Sequence, residues 1–228
     1  MEGQSRTTRR LLHLYAGLAL YGASAALQVR AALGLDPWDV LHQGISRHTG
    51  VSIGLVSVAV GALVLLLWWP MRQRPGLGTV SNVFVVGLSM DATLALLPQP
   101  HGLGVRIPLL VAGVLLNGVA TGLYITARYG PGPRDGLMTG LHRRTGRSIR
   151  LVRTAIEVTV LAVGFVLGGS VGVGTVVYAV SIGPLAQFFL RLFELPRSGP
   201  GPQDDSVVVA RGGQPVADAA EGRAILPE

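Results

Sequence analysis

The residues with the chemistry to hold an ion or a polar solute lie in two short polar stretches of this 228-residue sequence. The first runs Asp36-Pro37-Trp38-Asp39-Val40-Leu41-His42-Gln43-Gly44 and on to Thr49-Gly50-Val51-Ser52-Ile53. The second runs Gly132-Pro133-Arg134-Asp135-Gly136-Leu137-Met138-Thr139-Gly140 and on to Thr145-Gly146-Arg147-Ser148-Ile149. Both share one frame: Pro-x-Asp, four residues, Gly, four residues, Thr-Gly-x-Ser-Ile. Two readings fit it. As a helix start, Asp36 is the N-cap, Pro37 the first helical residue, Asp39 an acid in the first turn, and Gly50 the close. As a broken half-helix between spans, the same acids are ligands for a solute or ion, as in transporters built from inverted repeats. Asp39 and Asp135 are thus candidate solute- or ion-binding residues. Gly44 and Gly140 join them, because a helical Gly costs about 1 kcal/mol relative to Ala. Its presence in both copies marks close packing or room for a ligand.

Three further polar positions lie in apolar surroundings. Asp91 (which matches Gln187) and Asn117 are candidate lining residues of a cavity, although interhelical hydrogen bonding is the commonest use of an intramembrane Asn. Glu157 sits one turn after Arg153, and an i,i+4 ion pair between them is the expected structural role. Asp36, Asp39 and His42 could suggest a metal site, but the second copy has Gly132 and Met138 where the first has Asp36 and His42. No metal site is expected. No Ser/His/Asp arrangement, phosphate loop or zinc-protease signature is present, so neither enzyme activity nor a cofactor is expected. The absence of cysteine excludes disulfides, thiolate metal sites and a Cys nucleophile.

The elements that position these residues are apolar. The chain is 49% hydrophobic and 14% charged, against about 25% charged for a soluble domain, and apolar runs of roughly 20 residues recur, each long enough to cross a bilayer. The sequence predicts helices over about 11–30, 51–69, 77–97, 107–129, 149–167 and 175–193. The polar stretches fall after the first and fourth of these. Gly17, Gly22, Leu27, Ala31 and Gly34 return 96 residues on as Gly113, Gly118, Leu123, Ala127 and Gly130. Gly76-Leu77-Gly78-Thr79-Val80 and Gly87 return as Gly172-Val173-Gly174-Thr175-Val176 and Gly183. A register held without gaps over that length indicates duplication. It also argues that the first apolar run is retained rather than cleaved as a signal peptide.

All 19 basic residues are Arg. With the N-terminus inside, only Arg30, Arg47 and Arg106 among those outside the tail fall on the external face, in keeping with the positive-inside rule. Three spans per repeat then place the second copy upside down relative to the first. The expected architecture is an all-α integral membrane protein of about six transmembrane helices, arranged as two inverted three-helix repeats, each with a short polar half-helix after its first span. Residues 1–10 form a cytoplasmic N-terminus, 11–98 the first repeat, 99–106 a connector and 107–195 the second repeat. Residues 196–228, rich in Gly, Pro and Asp, read as a disordered cytoplasmic tail.

The stretches Gly34-Leu35-Asp36-Pro37-Trp38-Asp39-Val40-Leu41, Thr49-Gly50-Val51-Ser52-Ile53-Gly54, Pro75-Gly76-Leu77-Gly78-Thr79 and Gly130-Pro131-Gly132-Pro133-Arg134-Asp135-Gly136-Leu137-Met138 resemble the YczE/YitT-like group of bacterial multi-pass membrane proteins. The likeness covers nearly the whole chain except the tail and is closer to the YczE branch. It implies the bacterial cytoplasmic membrane, and no catalytic residue or substrate follows from it. Two functions remain open. One is a transporter or permeation protein for a small solute. The other is a non-catalytic scaffold that supports a cytoplasmic protein partner through Arg143, Arg144, Arg147 and Arg150. The lipid bilayer is a partner in either case, and nucleic acid in neither.

Overall fold

The computed structural model describes residues 2–194, so the tail expected to be disordered lies outside the described residues. Eight helices follow in order: α1 (Glu2–Ala31), α2 (Pro37–Thr49), α3 (Ile53–Trp68), α4 (Leu77–Leu96), α5 (Leu103–Thr126), α6 (Pro133–Thr145), α7 (Ile149–Val166) and α8 (Val173–Leu192). No strand occurs among the described residues. Helix α1 begins nine residues before the expected boundary and α5 four residues before, taking Pro108 into its first turns. By length and composition α4, α5 and α8 are apolar enough to cross a membrane. The α2–α3 pair, bent by 115°, makes a fourth span if counted as one broken crossing. Helix α7 bears Arg150, Arg153 and Glu157 within its 18 residues, and α1 turns Ser24 and Gln28 into the interior.

The short helices form where their end signals place them. Asp36 accepts hydrogen bonds from the N–H groups of Trp38 (2.9 Å) and Asp39 (3.1 Å), with Pro37 at the first helical position. That satisfies two of the donors a helix start leaves open. Gly132 stands at the corresponding place before α6 and brings no side chain to it. Both short helices stop at a left-handed glycine, Gly50 (φ 71°) and Gly146 (φ 65°), a conformation that costs glycine little.

Contacts recur at the 96-residue offset. Helices α1 and α5 lie antiparallel: Gly17 meets the backbone of Ala120 and Tyr124, and its twin Gly113 meets Ser24 and Gln28. Gly22 packs on α4 at Val86 to Met90, and Gly118 packs on α8 at Leu185 and Phe189. The N–H of Gly78 donates to Tyr129 O (2.8 Å), and that of Gly174 to Leu33 O (2.7 Å). The C-terminal carbonyls of α5 and α1 are met by arginines from the opposite repeat. Arg10 Nε donates to Ala127 O at 3.0 Å, and Arg106 Nε donates to Ala31 O at 2.7 Å. Each guanidinium also reaches the next carbonyl, of Arg128 and of Ala32.

The short helices cross between the halves. Helix α2 lies against the C-terminal end of α7, where Gly44 abuts Gly164 and Leu167 and Gln43 Oε1 accepts from the N–H of Ser170 at 2.7 Å. Helix α6 lies against the end of α3, where Gly136 abuts the Trp68 ring and Trp68 Nε1 donates to Pro133 O at 3.1 Å. The two contacts exchange size. Glycine at 164 faces the backbone of Val40 and Leu41, whereas glycine at 136 faces the tryptophan ring at 68.

Candidate functional site

The exchanged short helices bring the variable residues of the two Pro-x-Asp frames together. The Arg134 guanidinium lies over the Trp38 ring, 4.9 Å from its centroid, within the range of cation–π attraction. The same group stands 3.9 Å from Asp36 Oδ1 and 3.9 Å from Asp39 Oδ1. Charge-assisted N–H···O bonds close to about 2.7–2.9 Å, so Arg134 is attracted to both acids without a close bond to either. Asp36 and Asp39 are buried, at 3% and 4% exposure. His42, one turn beyond Asp39, holds Nδ1 3.0 Å from Asp39 Oδ1, while its buried Nε2 has no partner. Trp38 Nε1 is likewise buried and unpartnered.

Trp38, His42 and Arg134 border a cavity of about 310 Å³ to which every helix contributes. Helix α1 supplies Tyr21, α2 Trp38 and His42, α3 Ser57, α4 Asn82, α5 Tyr124, α6 Arg134 and Asp135, α7 Arg153, and α8 Tyr178 and Gln187. Asp135 Oδ2 accepts from the Tyr124 hydroxyl at 3.0 Å. Tyr21 and Tyr124 meet edge to face, with centroids 6.2 Å apart.

The residues singled out in the sequence divide between this cavity and other tasks. Asp135 lines the cavity, and Asp39 stands behind it, orienting His42 and drawing on Arg134. Gly44 is a packing contact. Gly140 faces Met71 and Gln73 and borders a second, basic cavity of about 410 Å³ with Arg72, Arg143 and Arg144. Asn117 is fully buried, donating to Ser24 Oγ at 2.9 Å and accepting from the Tyr178 hydroxyl at 3.3 Å, which ties α1, α5 and α8 together. Asp91 goes to the start of α3, where it accepts from Ser52 Oγ (2.5 Å), Gly54 N (2.8 Å) and Leu55 N (3.2 Å). Arg153 Nε and Glu157 Oε1 pair at 2.9 Å. No group of three metal-ligating side chains occurs among the described residues.

Sequence reasoning did not single out Arg134 or the unpartnered His42 as cavity groups. By the positive-inside rule Arg134 is one of many arginines on the cytoplasmic side. The signal available was its place as the variable residue of the second Pro-x-Asp, opposite Trp38 of the first.

The two twin helix pairs beside the cavity differ. At the start of α3, outside the cavity lining, the α3 and α4 backbones touch: a Cβ on Gly54 would stand 2.1 Å from Gly87 O, and one on Gly87 would stand 2.5 Å from Gly54 O. In the twin pair, a Cβ on Gly183 of α8 would meet nothing within 4 Å, and Gly183 lines the cavity with Arg153 and Gln187.

Comparison with known proteins agrees with the YczE likeness. A protein-family model described as "Family of unknown function (DUF6198)" matches residues 8–191. An uncharacterized protein of Haemophilus influenzae is 43% identical over 175 residues, covering 77% of this chain and 80% of the relative. An uncharacterized membrane protein of Bacillus subtilis, YczE, is 32% identical over 178 residues, covering 77% and 83%. A second uncharacterized B. subtilis protein, YyaS, is 24% identical over 182 residues, covering 78% and 90%. No solved structure matches the chain.

Proposed function

We propose that this chain, which belongs to the DUF6198 family of unknown function, is a transport protein of the bacterial cytoplasmic membrane that moves a small solute by alternating access. It acts without chemical transformation and without a cofactor. The arrangement proposed is six crossings in two inverted repeats, with both termini and the Arg-rich α6–α7 connection on the cytoplasmic side. One observation carries the reading. A cavity lined by all eight helices lies between one helix pair whose backbones touch, Gly54 against Gly87, and its twin pair, in which Gly183 faces open space. In an inverted repeat the twin of a closed contact is the contact that closes in the alternate state, so this asymmetry supports a cytoplasm-facing conformation.

The first test uses the absence of cysteine from the chain. Single cysteines at Ser46 and at its twin His142 are labelled in intact cells with an impermeant thiol reagent. Labelling at Ser46 alone supports the inverted arrangement. Labelling of both removes the main support for alternating access. A scaffold role is the second reading, favoured by the basic cavity around Arg72, Arg143 and Arg144. Replacing Arg143 and Arg144 with Gln separates the two: a scaffold loses its cytoplasmic partner, whereas a transporter keeps its solute flux.

A further inference from the structure

The geometry points to a small protonated amine as the solute held in the central cavity. The inference rests on the transport reading for its biological sense, and on the cavity alone for its chemistry. Asp135 lines the cavity, and the carboxyl groups of Asp36 and Asp39 stand behind it, against the guanidinium of Arg134; the second lining guanidinium, of Arg153, is already paired with Glu157. Full ionisation leaves two negative charges of this group uncompensated, with Asp36 and Asp39 buried, and uncompensated buried charge is costly. A cationic ligand relieves that cost and an anion adds to it.

The unpartnered side-chain atoms give a second, independent indication. His42 is 1% exposed, lines the cavity, and lacks a partner at Nε2. Its Nδ1 faces Asp39 Oδ1, and a carboxylate accepts but does not donate. The proton is therefore placed on Nδ1, and Nε2 becomes an acceptor that needs an N–H or O–H donor. Asp135 is a second acceptor at the cavity surface, held in place by the Tyr124 hydroxyl. An ammonium group supplies donors to both. The rings of Tyr21, Tyr124 and Tyr178 border the same space, and aromatic faces attract cations. Trp38 Nε1–H, buried and unpartnered, adds a place for one acceptor atom, such as the oxygen of a hydroxyl-bearing amine.

Arg134 does not make this an anion site. Its guanidinium stands between two carboxyl groups at 3.9 Å and over an indole ring. A carboxylate ligand would have to compete with both acids for it. The cavity, at about 310 Å³, lies at the lower end of the roughly 300–1,000 Å³ range of ligand pockets, which confines the solute to small molecules.

Binding to the purified protein in lipid nanodiscs tests the assignment, with ethanolamine, choline, glycine and acetate as probes at equal ionic strength. Ethanolamine is expected to bind and to raise the unfolding temperature. Choline has the charge but no N–H, and is expected to bind more weakly. Acetate is expected not to bind. The Asp135→Asn protein is expected to lose at least about tenfold in ethanolamine affinity, the worth of one charge-assisted hydrogen bond. The wild-type probe series stands on its own if that variant does not fold. Acetate or glycine binding as well as ethanolamine would overturn the inference, as would choline binding as well, or no binding by any probe. Flux into proteoliposomes separates the two readings. Ethanolamine binding without flux leaves the amine site standing and removes transport. Flux of a carboxylate without amine binding does the reverse.

Discussion

Helices α3 and α4 touch backbone to backbone, whereas their twins α7 and α8 stand apart, although both pairs carry the same glycine on the later helix. The difference lies in what faces that glycine. Gly87 meets Gly54, and the contact is fastened by Asp91, which crosses from α4 to the open N–H groups at the start of α3. At the twin positions Gly54 becomes Arg150 and Asp91 becomes Gln187. A glycine permits close approach but does not enforce it. The facing residue and a side chain that bonds across the gap decide whether the approach is made.

The sharpest way to break this comparison is one substitution made at both twins. Ala is a better helix former than Gly by about 1 kcal/mol, so the outcome turns on space. At Gly183 the new methyl meets nothing, and Gly183→Ala is expected to stabilise the protein by up to about 1 kcal/mol. At Gly87 the methyl would press on Gly54 O at 2.5 Å and on Val58 Cγ2 at 2.6 Å. Gly87→Ala is expected to cost about 3 kcal/mol through overpacking. Thermal unfolding of both variants in one detergent compares them, and effects of equal sign would sink the account.

The fastening side chain comes next in size. Asp91→Ala leaves the N–H groups of Gly54 and Leu55 without their carboxylate acceptor, an expected loss of about 2 kcal/mol. Gln187 makes no hydrogen bond among the described residues, so Gln187→Ala is expected to stay within about 0.5 kcal/mol of wild type. If α3 and α4 form the outer barrier, Asp91→Ala also increases labelling of a cysteine placed at Ser57 by an external impermeant reagent. Unchanged labelling would confine Asp91 to capping.

Where the halves match, the expectation is equality. Arg10 and Arg106 each bridge to the C-terminal carbonyls of the opposite long helix, where positive charge also favours the helix dipole. Arg10→Gln and Arg106→Gln are each expected to cost about 1 kcal/mol. A difference greater than about 0.5 kcal/mol between them would mean that α1 and α5 are not equivalently held.

These pairs show what the sequence made legible. The offset of 96 placed the short helices, their glycine stops and the glycines of the α1–α5 contact, because identical residues at twin positions do identical local work. Arg10 and Arg106 share that offset too, yet a count of charges by membrane side put them on opposite faces and gave neither a structural task. The cavity was harder to see because it is made where the halves differ. Trp38 faces Arg134, Gly164 meets the Val40–Leu41 backbone while Gly136 meets the Trp68 ring, and His42 has Met138 for a twin. A search for matching residues passes over such positions. Asp91 is an unusual acid in an apolar helix by sequence alone, but its bond to α3 depends on the packing of two helices, which no periodicity within either one records.

The smallest effect is expected at the mouth of the cavity. Arg153 and Glu157 form an i,i+4 pair at 2.9 Å whose side chains are 59% and 33% exposed, and exposed helix pairs are worth about 0.3–0.5 kcal/mol. Glu157→Gln is therefore expected to change stability by less than about 0.5 kcal/mol, an effect that fades as salt is added. Its twin, Gly61, has no charge to pair with, so the first half keeps its closed contact without such a bridge. Arg153 lines the cavity while Glu157 does not. Releasing Arg153 by Glu157→Gln adds an unpaired positive charge at the mouth, and this is expected to weaken ethanolamine binding without altering the fold. Stronger binding in that variant would mean that Arg153 turns away from the cavity once freed, and that this side of the cavity is shaped by the ion pair rather than by the open space beside Gly183.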